Sequence, residues 1–138
     1  MLRVVADTNI YVSAYNFGGL PGKVLELAQG GQISLFISAP ILHELEQVLR
    51  TKFFWPEKEI SRLVRNILRF THLVIPDKRL GVVTDDAADD RILECALQAH
   101  AEVIVSGDSH LLKLKSFQTV AIMTARQFLG TKLPKHSR

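Results

Sequence analysis

Short apolar runs that close on polar turn residues alternate with amphipathic stretches along nearly the whole chain. That alternation constrains the fold more than any other feature. A continuous apolar run too short for a core helix is a strand buried on both faces, and strands alternating with helices build a parallel sheet covered on both sides. Val4-Val5-Ala6, Ile33 to Ile37, His72 to Ile75, Val103-Ile104-Val105 and Thr119 to Met123 read as the strands. The helices expected are Lys23 to Gln29, a segment after Ser38 with Pro40 in its first turn, Glu57 to Phe70, Asp89 to His100, a short stretch through Leu112, and Thr124 to Leu129. Phe17 to Gly22 reads as a loop from its glycines and proline. Gly30-Gly31 stops one helix, and Phe53-Phe54-Trp55-Pro56 breaks another. The expectation is an α/β fold: a three-layer α/β/α sandwich around a central, mainly parallel sheet. One domain would span residues 1–130, and residues 131–138 would form a loose tail.

With 138 residues, 47% of them hydrophobic, the chain can bury a core without disulfides or structural metal. Its single cysteine, Cys95, reads as a small core residue. No apolar run approaches the roughly 20 residues of a membrane span. The first residues lack the pattern of a signal peptide, so a cytoplasmic protein is expected. The net charge of +3 permits a polyanionic partner without demanding one.

Functional sites of open parallel sheets lie beyond the carboxyl ends of the strands. Four acids are expected there. Asp7 ends the first strand, Asp108 follows the Val103–Val105 strand, Glu44 lies early in the helix after the second strand, and Asp89 opens a later helix. At 100° per residue, Asp89 falls on the inward stripe of Ile92, Leu93 and Ala96, whereas Asp90 falls nearly opposite and reads as solvated or capping. Asp85 and Asp86 read the same way. Singly, Asp7, Asp89 and Asp108 also suit turn or capping roles. Glu46 flanks its helix stripe as well as Glu44 does, and periodicity does not choose between them.

A set of carboxylates alone suits hard cations such as Mg²⁺ or Mn²⁺, and crowded carboxylates need a cation to stay ionised. Such sites hydrolyse phosphodiesters. Other chemistries lack their signatures: there is no phosphate-binding loop, no dinucleotide glycine fingerprint, no nucleophile elbow and no H-E-x-x-H. A receiver-like phosphoacceptor would want a lysine after a late strand, where Thr124-Ala125-Arg126 stands. A haloacid-type phosphatase would want an acid at Asn9.

Val4-Val5-Ala6-Asp7-Thr8-Asn9 resembles the opening motif of PIN domains. Asp89-Asp90-Arg91-Ile92-Leu93-Glu94-Cys95-Ala96 resembles that family's acidic helix, and Ser106-Gly107-Asp108-Ser109-His110-Leu111-Leu112 its late strand-end motif. The resemblance covers about residues 2 to 129 and is nearest to prokaryotic PIN proteins classed as toxins of toxin–antitoxin pairs. It implies metal-binding acids at Asp7, Glu44, Asp89 and Asp108, which decides for Glu44 over Glu46. It also implies supporting polar residues at Thr8, Asn9 and Ser106, with Asp90 beside them. Asp90 stands where this branch often has Asn, and His110 where it often has Asp. The resemblance further implies Mg²⁺- or Mn²⁺-dependent cleavage of RNA, a homodimer or higher homo-oligomer, and a cognate antitoxin. A PIN-like module that binds RNA or protein without cutting is the alternative. The exposed-face row Arg62, Arg65 and Arg69, or Lys113 and Lys115, suits a phosphate backbone, and the row equally suits a solvated helix face. Phe53-Phe54-Trp55 suits either a partner surface or a cover over the core.

Overall fold

The computed structural model describes residues 1–77, 79–80 and 87–131. Six strands form one sheet in the order β3-β2-β1-β4-β6-β5. They are β1 (Arg3–Ala6), β2 (Ser34–Ser38), β3 (Thr71–Val74), β4 (Val103–Val105), β5 (Ser116–Phe117) and β6 (Val120–Met123). All neighbours run parallel except β5, a two-residue antiparallel edge strand that the sequence reading did not contain. Val4, Val5 and Ala6 in β1 and all of β4 are buried. Successive side chains point to opposite faces of a strand, so helices cover the sheet on both sides. This is the expected α/β architecture.

Seven helices complete the described fold: α1 (Thr8–Phe17), α2 (Gly19–Gln29), α3 (Ala39–Thr51), α4 (Glu57–Phe70), α5 (Ala87–Gln98), α6 (Ser109–Leu114) and α7 (Ala125–Gly130). The expected Phe17–Gly22 loop is not one. α1 starts directly after Asp7, and only Gly18 (φ 74°) separates it from α2, whose third residue is Pro21. Proline is harmless in a first turn because its missing N–H has no intrahelical partner there. The glycines therefore mark a corner between two helices. α4 has the bounds read from the sequence, and Ile60, Leu63 and Ile67 are buried, although Leu68 is exposed. Thr131 hydrogen-bonds back to the Phe128 carbonyl, and residues 132–138 of the expected tail lie outside the described residues, as do Asp85 and Asp86.

After β2 and β3 have been laid on one side of β1, the chain returns to place β4 on the other side. The strand order reverses at this point, and open α/β sheets bind their ligands at such a reversal, beyond the carboxyl ends of the strands. Asp7 and Ser106 directly follow these two strands.

Candidate functional site

Register brings the residues after β1, β4 and β6 side by side. Val105 pairs with Ala6 on one side and Met123 on the other, so Asp7, Ser106 and Thr124 form a row along the carboxyl edge. The Ser106 hydroxyl donates to Asp7 Oδ2 at 2.5 Å and accepts from the Asp108 backbone N–H at 2.9 Å. The Gly107 N–H also donates to Asp7 Oδ2, at 3.2 Å. Ser106 therefore joins Asp7 to Asp108, the first pair standing 99 positions apart in sequence.

Both aspartates also serve as caps. Asp7 Oδ1 accepts from the Ile10 N–H at 3.0 Å to start α1, and Asp108 Oδ1 accepts from the His110 N–H at 2.7 Å to start α6. Capping does not exclude a ligand role, since each carboxylate retains lone pairs beyond the one its cap uses. Glu44 joins through a neighbour: the Thr8 hydroxyl donates to Glu44 Oε1 at 2.5 Å. Asn9, expected as a supporting residue, is exposed.

Asp7 is 3% exposed. Burial pushes its carboxyl up from 3.8 to about 6, against the lowering effect of its bonds to Ser106, Ile10 and Gly107, with the Asp108 charge adding to the rise. A carboxyl in this condition gains by meeting a cation.

α5 rises toward the same edge. Arg3 Nε donates to the Ala99 carbonyl at 2.7 Å, which fixes the end of α5 beside the start of β1. Midway along, the buried Cys95 thiol lies against the Ser38 hydroxyl at the end of β2, and burial pushes the thiol up to about 12. The first turn of α5, carrying Asp89 and Asp90, thus reaches the carboxyl edge. Ser38 occupies the N-cap position of α3 without making a side-chain cap bond.

Asp89 is buried, as its place on the helix stripe requires. Asp90 is buried too, at 3% exposure, which removes the solvated alternative from its reading as solvated or capping. Farther along the same face, two residues that follow β3 meet α5: the Asp77 N–H donates to Gln98 Oε1 at 3.0 Å and the Leu80 N–H to Glu94 Oε2 at 2.7 Å. Asp90, Glu94 and Gln98 recur every four residues on that face, so a helical wheel assigns them to solvent. Glu94, which the sequence reading did not single out, is 4% exposed. It is neutralised by Arg91, with Nε 2.8 Å from Oε1 and Nη2 2.9 Å from Oε2. Its i, i+3 spacing to Arg91 was the available signal.

The carboxylates share one edge but do not close a cage. Among the described residues, no three Asp, Glu, His or Cys side chains converge as ligands for one ion. Their chemistry nevertheless fits Mg²⁺, which keeps several of its waters and needs only one or two carboxylates. Asp7 and Asp108, joined by Ser106, are the pair on hand. A groove of about 730 Å³ beside His100, Glu102 and Gln118 opens at the opposite end of the sheet and does not belong to this site.

The sequence matches the PIN domain family over residues 3–110. The chain belongs to the PIN-domain family. An uncharacterized protein of Methanocaldococcus jannaschii is 30% identical over 120 residues, spanning 83% of this chain and 76% of that protein. The fold is similar to VapBC2 from Rickettsia felis, solved bound to a DNA fragment from its promoter. The TM-score is 0.63 at 18% identity over 88% of this chain and 97% of the other. It is also similar to the PIN domain of T. brucei RRP44, with a TM-score of 0.52 at 15% identity, covering 93% and 79%. At these identities the two structures speak for the PIN fold. Among the described residues, no helix is long and apolar enough to cross a membrane.

Proposed function

We propose that this PIN domain is a metal-dependent endoribonuclease, and that Asp7, Glu44, Asp89 and Asp108 hold Mg²⁺ or Mn²⁺ at the carboxyl edge. The observation that carries the reading is the Asp7–Ser106–Asp108 network at the strand-order reversal, with a buried Asp7 whose carboxyl is pushed up to about 6. A bound divalent ion supplies Lewis acidity toward the phosphate and the attacking water. Ser106 and the Gly107 N–H fix the rotamer of Asp7, so that its carboxylate is oriented before any ion arrives. Thr8 does the same for Glu44. Asp89 and Asp90 add negative charge at the N-terminus of α5, where the helix dipole favours it.

By its fold similarity to a VapBC2 complex, we assign the chain the toxin role in a toxin–antitoxin pair, in the cytoplasm, with an antitoxin and a second copy of itself as partners. Phe17 and Phe54 are 76% and 81% exposed, and Phe17 meets Phe53 edge-to-face at 6.2 Å. Trp55 turns inward and donates to Asn16 Oδ1 at 3.1 Å. The phenylalanines suit a partner and the tryptophan secures the loop. A non-catalytic binding module is the second reading, favoured by the lack of a three-carboxylate cage among the described residues.

Cleavage of a mixed RNA panel with Mn²⁺, Mg²⁺ or EDTA, comparing the parent with Asp89→Asn, separates the two. Metal-dependent cutting that the substitution abolishes supports the nuclease. Binding without cutting by folded parent protein supports the module. Cutting that survives Asp89→Asn rejects the proposed ligand set.

A further inference from the structure

All 14 Asp and Glu residues lie at or before Asp108, whereas Lys113, Lys115, Arg126, Lys132, Lys135 and Arg138 follow it. The net charge of +3 therefore arises wholly downstream of the last acid, in a chain that is net acidic up to that point. Of these, Lys113 and Lys115 lie on and just after α6 and Arg126 on α7, and both helices border a groove over β6, so they gather positive charge on one flank.

That flank carries a groove of about 510 Å³ between α6 and α7 over β6. Its floor is apolar, from Leu112, Ala121 and Met123, and Lys115 and Gln127 stand at its rim. Its upper end is Thr124, in the carboxyl-edge row with Ser106 and Asp7. Two strand spacings of about 4.8 Å put Thr124 about 10 Å from Asp7, a few nucleotides even at about 3.4 Å per stacked step. Lys113, Lys115 and Arg126 are exposed, and no ion pair involving them occurs among the described residues.

We infer that this groove is the exit path of a single-stranded RNA, with one base seated on the Leu112–Met123 floor and its flanking phosphates met by Lys113, Lys115 and Arg126. The inference rests on the nuclease reading for what happens at Asp7, but the groove's occupancy is separately measurable. An apolar floor beside cations is the composition that holds a base by its face and a backbone by its charge. Thr124 and Gln127 are engaged with each other in the α7 capping box and Thr131 bonds the Phe128 carbonyl, so the groove sets where the strand lies more than which base it carries. The competing path is the arginine row of α4, where Arg62, Arg65 and Arg69 are likewise exposed and Arg62 is 3.3 Å from Glu59.

The test is binding of a labelled oligouridylate in EDTA across a salt series. The parent is compared with the triple variant Lys113→Gln/Lys115→Gln/Arg126→Gln and with Arg62→Gln/Arg65→Gln/Arg69→Gln. The groove triple should weaken binding on the order of tenfold or more and flatten the log–log salt slope by about 2, at about 0.7 per phosphate contact on single strands. The α4 triple should change neither. Ala121→Trp, which fills the groove without removing charge, should weaken binding and leave the salt slope alone. The reverse pattern for the two triples, or a folded Ala121→Trp that binds like the parent, overturns the path. Parallel cleavage by the parent in Mn²⁺ keeps the readings apart: an RNA that binds through the groove but is not cut counts against the nuclease, not against the path.

Discussion

Replacing Asp7 by asparagine should make the metal-free protein more stable near neutral pH, although it removes a residue proposed to be central to function. The raise from 3.8 to about 6 means that the folded chain holds this proton more tightly than the unfolded chain. The fold therefore loses stability as pH rises from about 4 to about 6, and the full cost is present above that window. About two units at 1.36 kcal/mol each put the cost of ionising Asp7 at about 3 kcal/mol. Asparagine removes that cost but gives some back. It can keep the Ile10 N–H as donor to its carbonyl and turn its amide toward the Ser106 oxygen, leaving the Gly107 N–H without its acceptor, a loss of about 1 kcal/mol. The net gain is about 1–2 kcal/mol near pH 7.5, or several degrees in Tm for a chain of this size. Near pH 4 the parent carboxyl is itself neutral in the fold, so only the lost Gly107 bond remains and asparagine should be the less stable form by about 1 kcal/mol. Urea unfolding in EDTA at the two pH values measures this. A stability difference that is the same at both would refute the claim that buried charge sets the energetics of Asp7.

Three further outcomes follow from the same geometry. Mn²⁺ should stabilise the parent by about 2.7 kcal/mol at a hundredfold excess over its Kd, and Asp108→Asn should remove most of that increment in a thermal melt; an undiminished increment would mean that the ion binds elsewhere. Glu94→Ala strands Arg91 and the Leu80 N–H, so it should cost about 3–5 kcal/mol in urea unfolding and speed tryptic cleavage after Arg79, whereas a cost below about 1 kcal/mol would contradict the buried pairing. Thr124→Ala breaks the reciprocal capping box with Gln127 that starts α7 and should cost about 1 kcal/mol, read from the urea midpoint at unchanged slope.

Much of the fold was legible because strands buried on both faces leave a continuous apolar signature that few other structures share. β1, β4 and the limits of α4 follow from that signature and from helical periodicity. The same periodicity put Asp89 inside. α1 was not read as a helix because strong turn formers, Asp7-Thr8-Asn9, stand where a strand passes directly into a capped helix, and cap residues and turn residues are the same residues. β5 is too short to leave any pattern in sequence.

What the sequence determined by itself was local: which segments are strands, which helices have a stripe, and which acids follow strand ends. Only the tertiary structure decided which of these ends are neighbours. Strand order puts Ser106 beside Asp7 and turns two separate helix caps into one network. Glu94 and Asp90 are buried on a face of α5 that a helical wheel assigns to water, and Leu80, which follows β3, bonds Glu94 there. The physical reason is range. Periodicity records the environment that a helix meets on its own axis, whereas burial and charge pairing depend on segments that arrive from elsewhere in the chain.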